Sequence, residues 1–461
     1  MFKLEFAGTG GAVPLKNRNL SAALLSYEGR KFLFDVGEGT QQSLLKLHSG
    51  FANIDIICLS HLHGDHVFGL PGLLCTMGMA KRTNDLLILA PKGSRQLLNQ
   101  FVCLVGRQDF SVYVLEFNSN SDLENKANGA NLRESSSLKA KQPKALALRL
   151  TKFGYKIDLS LSDPKLLNPD NFYCLLNRKD LEANSTVTTA LGSCAKLAEG
   201  KVEQANLSQI FPNCNLFYQA DDPSKLLNNS RLQKKLHRYE NLKLTYAPNT
   251  PASLYITSAP QKHSVNCIAF RFDWFKAGRF HAEQAKAKGI FESFWSYLQN
   301  GYSISYTCNK QAFKFTPASV VSPPVQLFSL GYVTDSRPLP SNPEFLHGVQ
   351  VLISEANYLD ESKKDLAVKN RHMTLQEACA QAKAAHAKIL ILTHFSASIT
   401  EPDLYIDTAH KLFEDCYFAH DLDSFVFNCA KRQLNSETRR EYVLTELTNL
   451  SETGDYENAT N

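Results

Sequence analysis

The sequence predicts an α/β protein in which strands and helices alternate and pack in layers. Two observations lead to this prediction. Short apolar segments with strand character recur along the first 117 residues, and helical segments lie between them. The same alternation returns from Lys243 onward, after a long polar stretch without periodicity. The chain therefore reads as two halves of an α/β fold separated by an insertion.

In the first half, residues 1–117, strand and helix signals follow each other closely. Strands are predicted at "KLEF", "SAALLSY", "KFLFDV", "IDIICLS" and "LLILAP", and helices at "TQQSLLKLH" and "LPGLLCTMGMAK". Only a short turn separates "SAALLSY" from "KFLFDV", so these two segments are predicted to form a hairpin.

In the second half, residues 243–430, the strand signals are "LYITSAP", "NCIAFRF", "LFSLGYVTD", "VQVLISEA" and "KILILTHFSA". The segment "AEQAKAKGIFESFWSYLQNG" predicts two short helices, and "TLQEACAQAKAAHA" predicts an amphipathic helix. Residues 431–461 are interpreted as a polar C-terminal tail. Residues 118–242 are interpreted as one insertion that is partly disordered, although "FYCLLNRKDL" and "NLFYQADD" could form a small module.

Composition narrows the class of protein without fixing its partner. Of the 461 residues 43% are apolar and 21% are charged, which is ordinary for a soluble protein, and the net charge is only +5. That charge permits a partner that carries phosphates but does not require one. The 11 cysteines form no CxxC pair, which favours reduced thiols and a cytoplasmic protein. We expect neither a signal peptide nor a membrane span.

The segment "SHLHGDHVFGLPG", from Ser60 to Gly72, concentrates side chains that can bind a metal ion. These side chains are His61, His63, Asp65 and His66. Imidazole and carboxylate donors together suit zinc or a similar divalent ion. The alternative for this segment alone is a polar loop with a structural role.

Three further segments place a side chain of the same kind directly beside a predicted strand. His263 lies in "PQKHSVN", Asp335 in "GYVTDSRP" and His394 in "ILILTHFSA". Loops at strand ends collect at one rim of a layered sheet, so these side chains are expected to meet the first cluster there. The combined set of five histidines and two aspartates is about what two ions need if they share one bridging carboxylate.

At this point the residues resemble a known family, the zinc-dependent tRNA 3′-end endonucleases (ribonuclease Z, or tRNase Z) of the metallo-β-lactamase superfamily. The resemblance rests on "FAGTGGAVPLKNRNLSAALL", "FLFDVGEGTQQSLL" and "SHLHGDHVFGLPGLL" in the first half. In the second half it rests on "GRFHAEQAKAKGI", "TDSRP", "ISEANYLDE" and "LTHFSA". It implies a four-layer αββα sandwich with a protruding helical arm, and it leaves the insertion without a counterpart.

The resemblance also implies roles for individual residues. His61, His63 and His263 would hold one zinc ion, Asp65, His66 and His394 would hold the other, and Asp335 would bridge them. Asp35, in "FDVGEG", would orient a ligand imidazole. Glu355 and His372 would form a proton relay to the leaving oxygen, and Asp65 could also accept a proton from the attacking water. Without the resemblance, His372 reads as a surface residue ahead of a helix that Thr374 could cap.

The resemblance further predicts how RNA would be held. Lys16 and Arg18, in the PxKxRN pattern of Pro14–Asn19, would meet RNA phosphates or terminal bases. The segment from Asp273 to Tyr302 matches the position of the family's tRNA-binding arm, with basic side chains at Lys276, Arg279, Lys286 and Lys288. The alternative for each of these residues is a solvated surface, and for the segment it is a helical hairpin packed on its own body.

The predicted function is therefore removal of the 3′ trailer from precursor tRNA by an endoribonuclease with two Zn²⁺ per chain. Mn²⁺ is a possible substitute, and a homodimer is expected from the resemblance. A hydroxide held between the two ions would attack the phosphorus, leaving a 3′-hydroxyl on the tRNA and a 5′-phosphate on the trailer. Two alternatives stay open: a metallo-hydrolase of small phosphodiesters or esters, and a non-catalytic RNA-binding relative. The sequence does not decide between endonucleolytic and exonucleolytic action.

Overall fold

The structure is a computed structural model. It describes residues 1–118 except 52 and 107, parts of 145–176, positions 214 and 216, residues 240–246, 253–433 except 309, and 440–449. Its strands in chain order are β1 (Phe2–Gly8), β2 (Ala22–Tyr27), β3 (Arg30–Phe34), β4 (Ile54–Cys58), β5 (Leu86–Pro91), β6 (Val112–Phe117), β7 (Ala145–Thr151), β8 (Gly154–Ile157), β9 (Phe172–Leu176), β10 (Glu240–Tyr246), β11 (Leu254–Gln261), β12 (Cys267–Lys276), β13 (Tyr302–Cys308), β14 (Gln311–Phe315), β15 (Val325–Val333), β16 (Val351–Glu355), β17 (Ile389–Thr393), β18 (Cys416–Phe418), β19 (Ser424–Gln433) and β20 (Arg440–Asn449).

The helices lie between these strands. The α-helices span Thr40–Lys46, Gly64–Val67, Leu70–Met79, Arg95–Val105, Ala282–Ala287, Trp295–Gln299, Asn342–Phe345, Lys364–Asn370, Leu375–Ala384 and Ile406–Leu412, and short 3₁₀ helices span Glu292–Phe294, Pro317–Ser319, Glu361–Lys363 and Pro402–Tyr405. The predicted hairpin of β2 and β3 and the predicted two short helices after β12 are present.

Within the described residues the strands form two large sheets and one small one. The first large sheet has nine strands in the order β20-β19-β1-β2-β3-β4-β5-β6-β9, and the second has eight in the order β18-β17-β16-β15-β12-β11-β7-β8. The strands from β3 to β6 are parallel, as are those from β15 to β18. The small sheet has the order β10-β13-β14.

The two large sheets pack face to face, and alternate residues of each strand explain how. In β3, Phe32 and Phe34 enter the core between the sheets, whereas Leu33 enters a second core under the helices. The helices Thr40–Lys46, Leu70–Met79 and Arg95–Val105 cover the outer face of the first sheet, and Leu375–Ala384 and Ile406–Leu412 cover the second. The molecule is thus a four-layer αββα sandwich, in agreement with the predicted fold class.

Parts of residues 118–242 contribute to this sandwich, whereas the sequence predicted one partly disordered insertion there. Strands β7 and β8 extend the second sheet by pairing with β11, and β9 pairs with β6 at the edge of the first. Leu146, Leu148 and Phe172 are buried between the sheets. The alternation of "ALALRLT" is a period-two strand signal that the polar residues before it obscured. Most of "NLFYQADD" lies outside the described residues.

Two further boundaries differ from the prediction. The interpreted C-terminal tail contains β20, which pairs with β19 at the edge of the first sheet. The predicted arm, Asp273 to Tyr302, begins inside β12, where Asp273 accepts hydrogen bonds from Arg271. The segment between β12 and β15 instead forms a unit with its own core, in which Phe294, Leu298 and Ile304 are buried. Because β13 pairs with both β10 and β14, this arm is a mixture of helix and sheet and not purely helical.

Candidate metal centre

The seven predicted ligand side chains meet at one edge of the sandwich. Strands β4, β15 and β17 end just before His61, Asp335 and His394, and the turn between β11 and β12 carries His263. Donor atoms of His61, His63, His263 and Asp335 all lie within 4.8 Å of one another, as do those of Asp65, His66 and His394. The fold thus brings these strand ends together at one edge, as the sequence predicted.

Asp335 lies between these two groups and presents one oxygen to each. Its Oδ2 is 3.5 Å from His61 Nε2 and 3.7 Å from His263 Nε2. Its Oδ1 is 3.1 Å from His394 Nε2 and 3.5 Å from His66 Nε2. A carboxylate with this orientation can bridge two cations.

The spacing of the donors fits tetrahedral coordination in each group. His63 Nδ1 is 3.1 Å from His61 Nε2 and 3.2 Å from His263 Nε2, and His66 Nε2 is 3.1 Å from His394 Nε2. A tetrahedron with zinc–nitrogen bonds of about 2.0–2.1 Å has edges of roughly 3.3 Å. Facing ring nitrogens that carry no proton would repel one another without a cation between them. The arrangement is a binding site for divalent metal.

The electrostatics of the histidines follow from burial and from the neighbouring carboxylates. Burial, with the nearby His66, holds the pKa of His61 well below its usual value, and burial lowers the pKa of His263 to about 4. Burial would also lower the pKa of His66, but the charges of Asp335 and Asp35 outweigh it and raise that pKa to about 10. The neutral form of His61 and His263 is the form that binds metal.

Asp35 anchors this site from beneath and is completely buried. Its Oδ2 is 2.8 Å from His66 Nδ1, so Asp35 contacts the imidazole of a candidate ligand. It also accepts hydrogen bonds from Ser60 N at 2.7 Å, Ser60 Oγ at 2.8 Å and the Tyr332 hydroxyl at 2.8 Å. These contacts fix the His66 ring with its Nε2 toward the other donors.

Glu355 and His372 form a pair at the rim of the same site. His372 Nδ1 is 3.0 Å from Glu355 Oε2, and the His372 ring lies 5.5 Å from the His263 ring and 5.6 Å from the His394 ring, centroid to centroid. Burial lowers the pKa of His372, but the charge of Glu355 and this hydrogen bond outweigh it and raise the pKa to about 9. A protonated imidazole in this place can donate a proton from its outer nitrogen.

The backbone at three of these strand ends is left-handed. Asp35, Asp335 and His394 have φ angles of 54°, 43° and 60°, a region that non-glycine residues seldom adopt. Such conformations persist where the surroundings hold them, and they cluster at functional sites.

Sequence reasoning did not identify several residues that hold the ligands. The Ala12 amide donates to Asp65 Oδ2 at 2.6 Å, and the Asn357 side chain donates to the His394 carbonyl at 3.1 Å. Arg371 donates to the His263 carbonyl. A backbone amide leaves no trace in a motif, and Asn357 and Arg371 lie among ordinary polar residues, so no sequence signal marks them.

Gly11 packs directly on the ring of His394. A methyl group there would lie 2.5 Å from His394 Cε1 and 2.7 Å from Nε2, closer than any real contact. We expect Gly11→Ala to displace this ligand and to lower metal content and all hydrolytic activity by about 10- to 100-fold. Metal analysis and turnover of a generic phosphodiester check this result.

Gly29→Ala is the matched control. Its φ of 74° disfavours alanine by roughly 1–2 kcal/mol, yet nothing lies within 4 Å of the added methyl group. This variant should be less stable but fully active. Full metal content in Gly11→Ala would show that the loop has room to move away.

The predicted RNA-binding residues fall into two groups. Lys16, Arg279, Lys286 and Lys288 are exposed, as is Lys276 at the end of β12. Arg18 differs from its prediction, because it is only 6% exposed and donates to the Ile399 carbonyl at 2.8 Å and the Ser396 carbonyl at 3.4 Å. Its guanidinium therefore supports the loop that follows His394 and is not free to bind a phosphate.

The chain is similar in sequence to several known proteins. The profile of the Anti-Pycsar protein Apyc1 family matches residues 2–110. Ribonuclease Z of Clostridium botulinum is 28% identical over 421 residues, 91% of this chain and 97% of that protein. Ribonuclease Z of Clostridium perfringens is 27% identical over 431 residues, 94% of this chain and 100% of that protein.

The chain is also similar to solved structures. The short form of human tRNase Z has a TM-score of 0.45 and 20% identity, and the alignment covers 92% of this chain and 98% of that chain. A long-form RNase Z from yeast has a TM-score of 0.44 and 17% identity, covering 92% of this chain and 41% of that chain.

No helix in the described part of the chain is long and apolar enough to cross a membrane.

The similarity to ribonuclease Z extends over nearly the whole length of both proteins. The four-layer sandwich carries histidine and aspartate ligands at one edge, which is the arrangement of the metallo-β-lactamase fold. The chain is a homologue of ribonuclease Z with the metallo-β-lactamase fold.

Proposed function

We propose that this protein is a zinc-dependent endoribonuclease that removes the 3′ trailer from precursor tRNA. The observation that carries the proposal is the full-length similarity to ribonuclease Z in a chain whose ligand side chains converge on one site. The pair of Glu355 and His372 beside that site supports it further. The products would be a tRNA with a 3′-hydroxyl and a trailer with a 5′-phosphate.

The donor sets around Asp335 fit one divalent cation each. Two such cations would supply a water that is deprotonated near neutral pH and positive charge beside the phosphoryl oxygens. Asp65 is a ligand whose second role would be to accept a proton from the water, since the Ala12 amide fixes its Oδ2. The proton transfer to the leaving group depends on side chains of the protein.

His372 would act on the leaving group. Hydrolysis breaks the bond between phosphorus and the 3′-oxygen of the tRNA, and that oxygen leaves poorly unless it gains a proton. His372, protonated and held by Glu355, would give this proton from its Nε2 and regain one from solvent. Glu355 would keep the ring oriented and stabilise its positive charge.

The arm supplies the surface on which an RNA backbone could lie. Besides Arg279, Lys286 and Lys288, the exposed residues Lys243, Lys310 and Lys314 lie on or beside its small sheet. Lysine and arginine contacts to phosphates position a nucleic acid without reading its sequence. The proposed substrate is therefore a folded RNA held by its backbone with the 3′ end at the metal site.

We also propose that the protein is a cytoplasmic homodimer. None of the cysteines whose side chains the structure describes forms a disulfide bond, which suits a reducing compartment. Leu45, Met79 and Leu104 are 60%, 85% and 73% exposed and lie on neighbouring helices of one outer layer. Exposed apolar side chains on one face suit an interface between two copies. Analytical ultracentrifugation would reveal a monomer if this proposal fails.

The active protein is expected to contain two zinc ions per chain, because each half of the site offers four donors. Mn²⁺ is expected to restore activity after chelation, since Asp65 and Asp335 provide oxygen ligands that it accepts. Metal analysis after mild purification checks the stoichiometry. A preparation with one ion per chain and full activity would overturn the two-metal proposal.

Turnover of a precursor tRNA with a short trailer, compared with bis(p-nitrophenyl) phosphate, tests the function. The proposal predicts efficient cleavage of the RNA and weak hydrolysis of the ester. Hydrolysis of the ester alone would indicate a small-molecule hydrolase, and no hydrolysis of either would indicate a non-catalytic RNA-binding protein.

A further inference from the structure

His372 is held from two sides. Its Nδ1 contacts Glu355, and its backbone carbonyl accepts a hydrogen bond from the guanidinium of Arg337. The contact with Glu355 sets the orientation of the imidazole ring, whereas the hydrogen bond from Arg337 fixes the position of the His372 backbone. A proton donor needs both, because its outer nitrogen must reach one particular oxygen.

Arg337 is itself held in a fixed geometry. Its Nη1 donates to Glu377 Oε2 at 2.7 Å, and its Nη2 donates to Glu377 Oε1, so the two side chains form a bidentate pair. Both side chains are only about 15% exposed. A paired, partly buried guanidinium of this kind is directional, and lysine cannot reproduce it.

Glu377 is fixed in turn by the start of the helix Leu375–Ala384. Thr374 N donates to Glu377 Oε2 at 3.1 Å, and Glu377 N donates to Thr374 Oγ1 at 3.3 Å, which is a capping box. The Thr374 cap is the one that the sequence predicted. Arg337 therefore connects the loop of His372 to a rigid helix end.

The backbone of Arg337 is tied to the metal site as well. Its amide donates to the Lys262 carbonyl at 3.1 Å, next to His263, and Ser336 N donates to Glu355 Oε1 at 2.5 Å. Asp335 lies two positions earlier in the same segment. One short segment thus links the metal ligands, the Glu355 carboxylate and the loop of His372.

We infer that Arg337, through Glu377 and the His372 carbonyl, is a positioning residue that places the His372 imidazole for proton donation to the leaving group. The inference rests on the proposed role of His372 and assigns the residue that makes this role geometrically possible. A displacement of about 1 Å at a catalytic group can lower a rate roughly 100-fold. Loss of the contacts that Arg337 makes with Glu377 and the His372 carbonyl is therefore expected to slow the proton transfer more than it lowers the metal content.

The test compares substrates that differ in their leaving groups. Bis(p-nitrophenyl) phosphate releases a stable anion that needs little protonation, whereas diphenyl phosphate and precursor tRNA release poorer leaving groups. In Arg337→Met and Glu377→Gln, kcat for the poor leaving groups should fall by about 10- to 100-fold. KM, metal content and hydrolysis of bis(p-nitrophenyl) phosphate should stay within about threefold, and Arg337→Lys should recover only part of the loss.

Arg271→Met is the matched control. Arg271 forms a bidentate pair with Asp273 and donates to the carbonyls of Phe345 and His347, at 2.9 Å each, so it resembles Arg337 in its bonds. It lies along β12, away from the strand ends that carry the ligands. This variant should be less stable but should keep the wild-type ratio between good and poor leaving groups.

If kcat falls equally for good and poor leaving groups in both variants, Arg337 has only a structural role. If kcat is unchanged, the contacts of Arg337 do not position His372. Either result overturns the inference. The two esters keep the test independent of the RNA substrate, because failure of the proposed function would appear as a wild-type enzyme that hydrolyses the esters but not precursor tRNA.

Discussion

Replacement of His372 by alanine is expected to lower the turnover of precursor tRNA by about 100- to 10,000-fold, the usual contribution of a general acid. The reason is that the 3′-oxygen of the tRNA would then have to leave without a positioned proton. His372 Nδ1 is hydrogen-bonded to the completely buried Glu355, so the other ring nitrogen is the one that can donate the proton. Single-turnover kinetics at saturating RNA measure the effect on the chemical step.

Two controls separate this role from others. Metal content of His372→Ala should equal that of the wild type, and loss of metal would instead make His372 a ligand. His347→Ala removes an exposed histidine that lies against His386, and it should leave turnover unchanged. Unchanged turnover in His372→Ala would mean that the residue is an ordinary rim residue and that the proposed relay is absent.

Replacement of residues 118–242 by a short Gly/Ser linker is expected to prevent folding. The sequence alone indicated one partly disordered insertion, but β7, β8 and β9 are strands of the two large sheets. Removing them exposes the edges of β11 and β6 and takes at least six large side chains out of the core, namely Leu146, Leu148, Tyr155, Ile157, Leu166 and Phe172. At about 1.5–3 kcal/mol each, this loss is comparable to the whole stability of a domain, roughly 5–15 kcal/mol.

A smaller replacement provides the contrast. A chain in which only residues 119–143 are exchanged for a linker keeps every described strand and should fold and bind metal. That stretch is polar and lacks the apolar periodicity of a packed element, and loop length affects stability only weakly. Thermal unfolding followed by circular dichroism, with metal analysis, compares the two chains. A folded, metal-loaded protein without residues 118–242 would show that these strands are dispensable.

The convergence of the candidate ligands could be predicted because several of them follow strand ends directly and the strand signals are strong. In an α/β fold such ends meet at one edge. Recognising the strands in the sequence was therefore enough to predict that His61, Asp335 and His394 lie near one another. The capping role of Thr374 was predictable for a similar reason, since Thr374 and Glu377 stand in the spacing of a capping box.

The residues that support the ligands could not be predicted in this way. Tyr332 donates to Asp35 across 297 positions of sequence, and Arg18 is buried by a loop nearly 400 positions away. Their partners are set by how the two sheets pack, and no local pattern encodes that. The small sheet of the arm was not predicted, because β13 pairs with β10, a strand that precedes β11 and β12 in the chain, and β14 pairs with β13.

Mapping both ends of the cut in a precursor tRNA with a defined 3′ trailer tests the proposed reaction directly. The expected result is a single cut at the 3′ end of the tRNA body, a 3′-hydroxyl on the tRNA and a 5′-phosphate on an intact trailer. Chelation should abolish the cut and zinc should restore it. Stepwise shortening of the trailer would instead indicate an exonuclease, and an uncut precursor in the presence of zinc would contradict the account.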